Sequence, residues 1–264
     1  MQKKDSVSVN PWQVLRRFTS ARIALGRAGG SLPTAPMLEF QLAHARARDA
    51  VHLPLDAAAI EARLAGMGLA SLRVHSAATS RESYLQRPDL GRRLDASSRA
   101  LLESCAEAAA QDFDAVFVIA DGLSALAVHS GALRVLALAH AALVQRGWPL
   151  APVVIALQSR VALGDEIGEL LRAGQTAILI GERPGLSSAD SLGVYLTHAP
   201  RVGRTDAERN CISNIRPDGG LDCTQAAHKL VYLMTEAQRR RYTGVALKDA
   251  SDDVALLVRA VDSG

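Results

Sequence analysis

Three times between residues 97 and 183, a helical pattern gives way to a short apolar run that stops on polar or glycine-bearing groups. SSRALLESCAEAAAQ leads to AVFVIA and then DGLS; residues 124–146 lead to PVVIAL and then QSRV; GDEIGELLRAG leads to TAILI and then GERPG. An apolar run without alternation needs cover on both faces, and the intervening helices supply it, so the pattern predicts a mostly parallel sheet flanked by helices. The expected fold class is α/β, Rossmann-like. Within it, the helix over 124–146 is expected to break near Ser130-Gly131, and LGVYLT after Ser191 to add a further strand. TQAAHKLVYLMTEAQRRR carries Ala227, Leu230, Val231 and Met234 at helical spacing and is expected to close the fold as a cover helix.

The first third lacks this regularity. Thr34 precedes PMLEFQLAHARARDAV and Asp56 precedes AAAIEARLAGMG, each placed to cap a helix. Residues 79–95, TSRESYLQRPDLGRRLD, are arginine-rich and interrupted by Pro88 and Gly91, which predicts a long ordered loop. The chain thus divides into a helical and irregular N-terminal region (1–95), an α/β region (96–248) and a C-terminal tail (249–264).

With 48% hydrophobic residues among 264, there is enough apolar material for a proper core. No apolar run reaches the roughly 18–20 residues that cross a bilayer, and the N-terminus has no apolar secretory core, so a cytoplasmic protein without membrane contact is expected. Cys105, Cys211 and Cys223 are too few for a disulfide framework and too far apart for a paired metal site; reduced thiols are expected. The formal charge is only +3, and the arginines that carry most of the positive charge are scattered among acids. An aromatic content of 4% leaves few platforms for base stacking, so no nucleic-acid partner is expected.

In an open parallel sheet, ligands settle outside the carboxyl ends of the strands. Those ends carry Asp121-Gly122, Gln158-Ser159-Arg160 and Gly181-Glu182-Arg183. No G-x-G-x-x-G or Walker pattern occurs, and a carboxylate such as Glu182 repels a pyrophosphate, so the rim suits a ligand with hydrogen-bond donors around an apolar body. The seven histidines stand singly, without metal-ligand spacing, and there is no G-x-S-x-G elbow. Cys211 has no neighbour that would lower a thiol pKa. The residues alone therefore specify a small-molecule-binding chain with no catalytic set and no metal site. Two readings stay open at this level: one part of a larger enzyme, or a free-standing Rossmann-like module for a nucleotide or effector.

Six stretches, in order, resemble the small (light) subunits of ethanolamine ammonia-lyase: ARIALGRAGGSLPT (21–34), YLQRPDLGRRL (84–94), DGLS (121–124), DEIGELL (165–171), GERPGL (181–186) and CISNI (211–215). The resemblance covers roughly residues 11–247. It implies an adenosylcobalamin-dependent lyase that turns ethanolamine into acetaldehyde and ammonia by a radical mechanism. It also implies a hetero-oligomer, in which a large subunit binds ethanolamine and carries the acid–base groups. On that basis the region 96–248 is a cobalamin-binding domain, and the cofactor contacts of the family fall on Val161, Glu182 and Cys211. Gly181 is then expected to let the corrin approach, Pro184 to turn the chain away, and Arg183 to form an ion pair on the rim or with the partner. No D-x-H-x-x-G occurs, in keeping with a cofactor whose own benzimidazole stays on cobalt. Some family members carry a long N-terminal extension associated with packaging into a bacterial microcompartment. This chain reaches its first family-like stretch almost at once, which favours a cytosolic enzyme.

Overall fold

The computed structural model of the chain describes residues 7–252. Six strands form one sheet in the order β1-β3-β2-β4-β5-β6: β1 (Ser71–His75), β2 (Phe113–Ala120), β3 (Val153–Leu157), β4 (Ala173–Gly181), β5 (Leu192–His198) and β6 (Asn210–Ile215). The first four run parallel; β5 and β6 continue the sheet antiparallel.

The unbroken apolar runs have the expected cause. In β2, Ala115, Phe117 and Ile119 enter one core and Val116, Val118 and Ala120 the other, because successive side chains of a strand point to opposite faces. The first core is covered by α2 (Ala57–Gly66), by α6 (Leu133–Val144) and by α8 (Cys223–Arg240). The second is covered by α4 (Ala96–Ala108) and α7 (Leu163–Leu170). The remaining helices are α1 (Thr34–His52), α3 (Arg81–Gln86) and the single turn α5 (Ala125–Ala127). The break expected near Ser130-Gly131 is a π turn, Val128–Ala132, which joins α5 to α6 without ending the helix. The resulting span, Ala125–Val144, is long and apolar enough to cross a membrane, contrary to the expectation from the sequence. Its buried residues face the sheet, as in a core helix, so the length criterion is met by packing within the fold.

Two strands escaped the sequence pattern, and both lie at edges. β1 sits inside the stretch 1–95 that was expected to be helical and irregular, so the sheet crosses that boundary. Its five residues are interrupted by Arg73, which pairs with Glu61 on α2. β6 buries only Ile212 and Ile215, too sparse an apolar signal for a central strand. Residues 79–95 are more structured than a loop, holding α3 and a 3-10 turn at Leu90–Arg92. Asp56 caps α2 by accepting from Ala59 N at 2.9 Å. Thr34 does not cap α1; it is the helix's first residue, behind Pro33. Of the tail, Asp249 and Asp252 pair with Lys229; residues 253–264 lie outside the described part.

The motif DEIGELL is absorbed by packing. Asp165, 3% exposed, forms a bidentate pair with Arg209 Nη1 at 2.9 and 2.7 Å. Glu166 pairs with Arg99 and accepts from Leu94 N at 3.0 Å. Gly168 lets α7 approach β4: a Cβ there would overlap Thr176 Oγ1 and lie 2.5 Å from Pro200 Cγ.

Candidate functional site

The connections leaving β2 and β3 pass to opposite faces of the sheet, since α6 belongs to one core and α7 to the other. The gap between those two strand ends is therefore the switch-point crevice, where a doubly wound fold ordinarily receives a nucleotide. Here it is filled by the chain itself. Asp121 accepts from Gly122 N, Gln158 N and Ser159 N, each at 2.9 Å, stitching the end of β2 to the end of β3. Burial pushes its carboxyl upward, opposed by those N–H groups and by Arg81, whose Nη1 lies 3.5 Å away. Tyr84 on α3 is fully buried above them. Two guanidinium groups stack over its ring, Arg81 at 4.7 Å and Arg160 at 4.2 Å from the centroid, and its hydroxyl donates to Ser159 O at 3.0 Å. The arginine-rich segment is thus a plug on the strand ends. Arg81 completes it by donating to Gly122 O at 2.8 Å and Val51 O at 2.7 Å.

What stays open lies directly beside the plug. A cleft of about 380 Å³ lies outside the ends of β2, β3, β4 and β5: Tyr84 and Gly122 of the plug form one wall, and Arg160, Val161, Ile180, Glu182, Arg183 and Tyr195 line the rest. It shares Arg160, Val161 and Tyr195 with a second hollow of about 470 Å³ towards Arg204 and Asp206. Glu182 follows the last residue of β4 and folds back over β5. Its Oε2 accepts from Ser191 Oγ at 2.6 Å and from Asn214 N at 3.3 Å, leaving Oε1 as an acceptor for a ligand. Gly193 makes room for this fold, because a Cβ there would stand 2.8 Å from Oε1 and 3.1 Å from Cγ.

Of the residues singled out from the sequence, Val161 and Glu182 share this cleft. Cys211 stands one strand further out, directly opposite Tyr195 in the β5–β6 register and so on the same face. Cys211 is an exposed residue, but its neighbours partly desolvate the thiol and raise its pKa, as does the nearby Glu182 carboxylate, which favours the neutral thiol. Burial likewise raises the Tyr195 phenol, with Cys211 and Glu182 adding to the effect. All three cysteines are free. Arg183 is exposed and makes no ion pair among the described residues. Gly181 lines the cleft, and its missing side chain also makes room for the loop after β2: a Cβ there would collide with Ser124 O and lie 2.8 Å from Asp121 O. Tyr84, Gly193 and Tyr195 were not singled out from the sequence as parts of the site. Among the described residues no cluster of His, Cys, Asp or Glu is arranged to hold a metal ion.

A protein-family model described as "Ethanolamine ammonia-lyase light chain (EutC)" matches residues 9–248. The chain belongs to the ethanolamine ammonia-lyase light-chain family. The ethanolamine ammonia-lyase small subunit of Ralstonia nicotianae is 60% identical over 247 residues, 94% of this chain and 91% of the relative. Those of Pseudomonas fluorescens and Azotobacter vinelandii are 59% and 58% identical, each covering at least 94% of this chain and 90% of the relative. The light-chain family match takes in the plug, the cleft and β6 together, and a small subunit by name implies a large one.

Proposed function

We propose that this chain is the cofactor-holding, non-catalytic small subunit of an adenosylcobalamin-dependent ethanolamine ammonia-lyase, and that its strand-end cleft grips one edge of the corrin against the large subunit. The observation that carries the reading is the free Oε1 of Glu182 beside Val161 and Tyr195, in an open hollow walled on one side by the plugged nucleotide crevice. The donor set fits. A corrin is an apolar ring system fringed by amide N–H donors, and Glu182 offers an acceptor between apolar walls at Val161 and Ile180. A cleft of about 380 Å³ is far too small to enclose such a molecule, which suits a site shared between two chains.

When bound, the cofactor supplies radical chemistry through homolysis of its cobalt–carbon bond. Glu182 orients the ring edge by accepting from its side-chain amides. Val161, Ile180 and Tyr195 exclude water along that edge. Tyr195 and Cys211, both held protonated, add no charge of their own. Ethanolamine and the acid–base groups belong to the large subunit in this reading, and the complex is cytoplasmic.

The purified chain alone is expected to show no ammonia-lyase activity, and to gain it when combined with the large subunit and adenosylcobalamin. Deamination of ethanolamine by the isolated chain would contradict the assignment.

A further inference from the structure

The strongest feature the cleft does not explain is the N-terminal arm. Residues Pro11–Phe18 form a 3-10 helix of which none is buried. Three residues per turn bring Trp12, Leu15 and Phe18 into one line, with Trp12 65% and Phe18 78% exposed. The row is not isolated: thirteen of the twenty-two large apolar side chains exposed on the described residues lie between Val7 and Leu53. Large exposed apolar side chains gathered on one segment of the chain mark a contact face more readily than the same residues scattered singly.

The arm folds back on itself and touches the body of the chain through Arg22. Ser8 and Arg27 exchange backbone hydrogen bonds of 2.7 and 2.9 Å, and Gly26, at φ +81°, closes the turn where a Cβ would stand 2.8 Å from Ser8 O. Arg22 then ties the arm to the loop after β4, donating to Leu186 O at 3.3 Å and Ser187 Oγ at 3.4 Å. That loop begins with Glu182, so Arg22 links the arm to the segment that carries the carboxylate of the cleft. The charge is one-sided. From Val7 through Leu38 there are four arginines, Arg16, Arg17, Arg22 and Arg27, and no carboxylate.

We infer that the arm is a docking element, which seats the Trp12, Leu15 and Phe18 row in an apolar groove of the large subunit rimmed by acidic side chains. The inference rests on the reading of the chain as a lyase small subunit and names the surface by which it meets its partner. A second copy of this chain fits less well: arm packed on arm across a two-fold axis would bring the arginines of both copies together.

The test uses the full-length chain co-expressed with the large subunit, read by co-purification and by titration of one separated subunit with the other. Trp12→Asp and Phe18→Asp are each expected to weaken association at least a hundredfold while leaving the melting temperature of the small chain unchanged. Val245→Asp, at an equally exposed apolar site away from the arm, is expected to leave association intact. The pair Arg16→Glu and Arg17→Glu reads the same contact without touching the apolar row, and is expected to weaken it most at low salt. Stoichiometric co-purification of all the arm variants would overturn the docking inference while leaving the lyase reading standing. Failure of the unaltered chain to retain the large subunit would overturn both.

Discussion

Replacing Glu182 with alanine weakens adenosylcobalamin binding by the assembled enzyme ten- to a hundredfold, while turnover at saturating cofactor stays close to that of the unaltered complex. The size follows from the loss of a charge-assisted hydrogen bond, about 1.5–3 kcal/mol. The split between affinity and turnover follows from position: Glu182 grips the ring edge and has no part in the reacting bonds, so its loss removes ground-state and transition-state binding alike. Alanine also takes the acceptor from Ser191 Oγ and Asn214 N. Glu182→Gln keeps a carbonyl oxygen for one of these roles and is expected to fall between the two. Equilibrium titration of the reconstituted complex, followed by the cofactor's visible spectrum, measures the effect. An affinity equal to that of the unaltered complex removes Glu182 from the site.

Replacing Arg209 with methionine costs about 3–5 kcal/mol at neutral pH, because it leaves the Asp165 carboxylate buried without its partner. For a chain of this size that corresponds to a fall in melting temperature of about 10 °C. Methionine keeps much of the buried stem volume, so the loss is chiefly electrostatic. The pH dependence separates this from simple loss of packing. Burial has pushed Asp165 up to about 6 from its ordinary 3.8, against the pull of Arg209. Between those values the folded chain binds more protons than the unfolded one, so this group favours folding more as pH falls through about 6. Without Arg209 the carboxyl moves higher still. The deficit of the variant is then largest above neutrality and shrinks as Asp165 takes up its proton. Thermal melts of both proteins at pH 8 and pH 5 decide it; an equal deficit at both contradicts the electrostatic account.

How far the sequence foretold the molecule depends on burial. Strands β2, β3 and β4 are covered on both faces, so AVFVIA, PVVIAL and TAILI announce themselves without any knowledge of partners. Strands β1 and β6 are edges. Arg73 and the exposed side of NCISNI break the apolar pattern because solvent reaches them, and only the register of the neighbouring strand makes them part of the sheet. The rim was legible as a place but not as a geometry. Asp121, Gln158 and Ser159 turned out to bond one another, sealing the crevice that a nucleotide-binding module would need. Tyr84, more than 30 positions before Asp121, supplies the rest of the seal through a contact that spacing along the chain does not encode. Glu182 was visible because a carboxylate at the end of a buried strand stands out. Gly193 was not, since its role depends on a cross-strand neighbour. Gly181 does more than the sequence suggests: it lines the cleft, and the space left by its missing Cβ is taken by the backbone of Ser124.

The most direct measurement is a structure of the two-chain complex loaded with a cobalamin. The account predicts corrin side-chain amides within hydrogen-bond reach of Glu182 Oε1, the ring edge against Val161 and Tyr195, and large-subunit density on the opposite side. A corrinoid bound wholly within the large subunit, or seated away from the ends of β2, β3, β4 and β5, would contradict it.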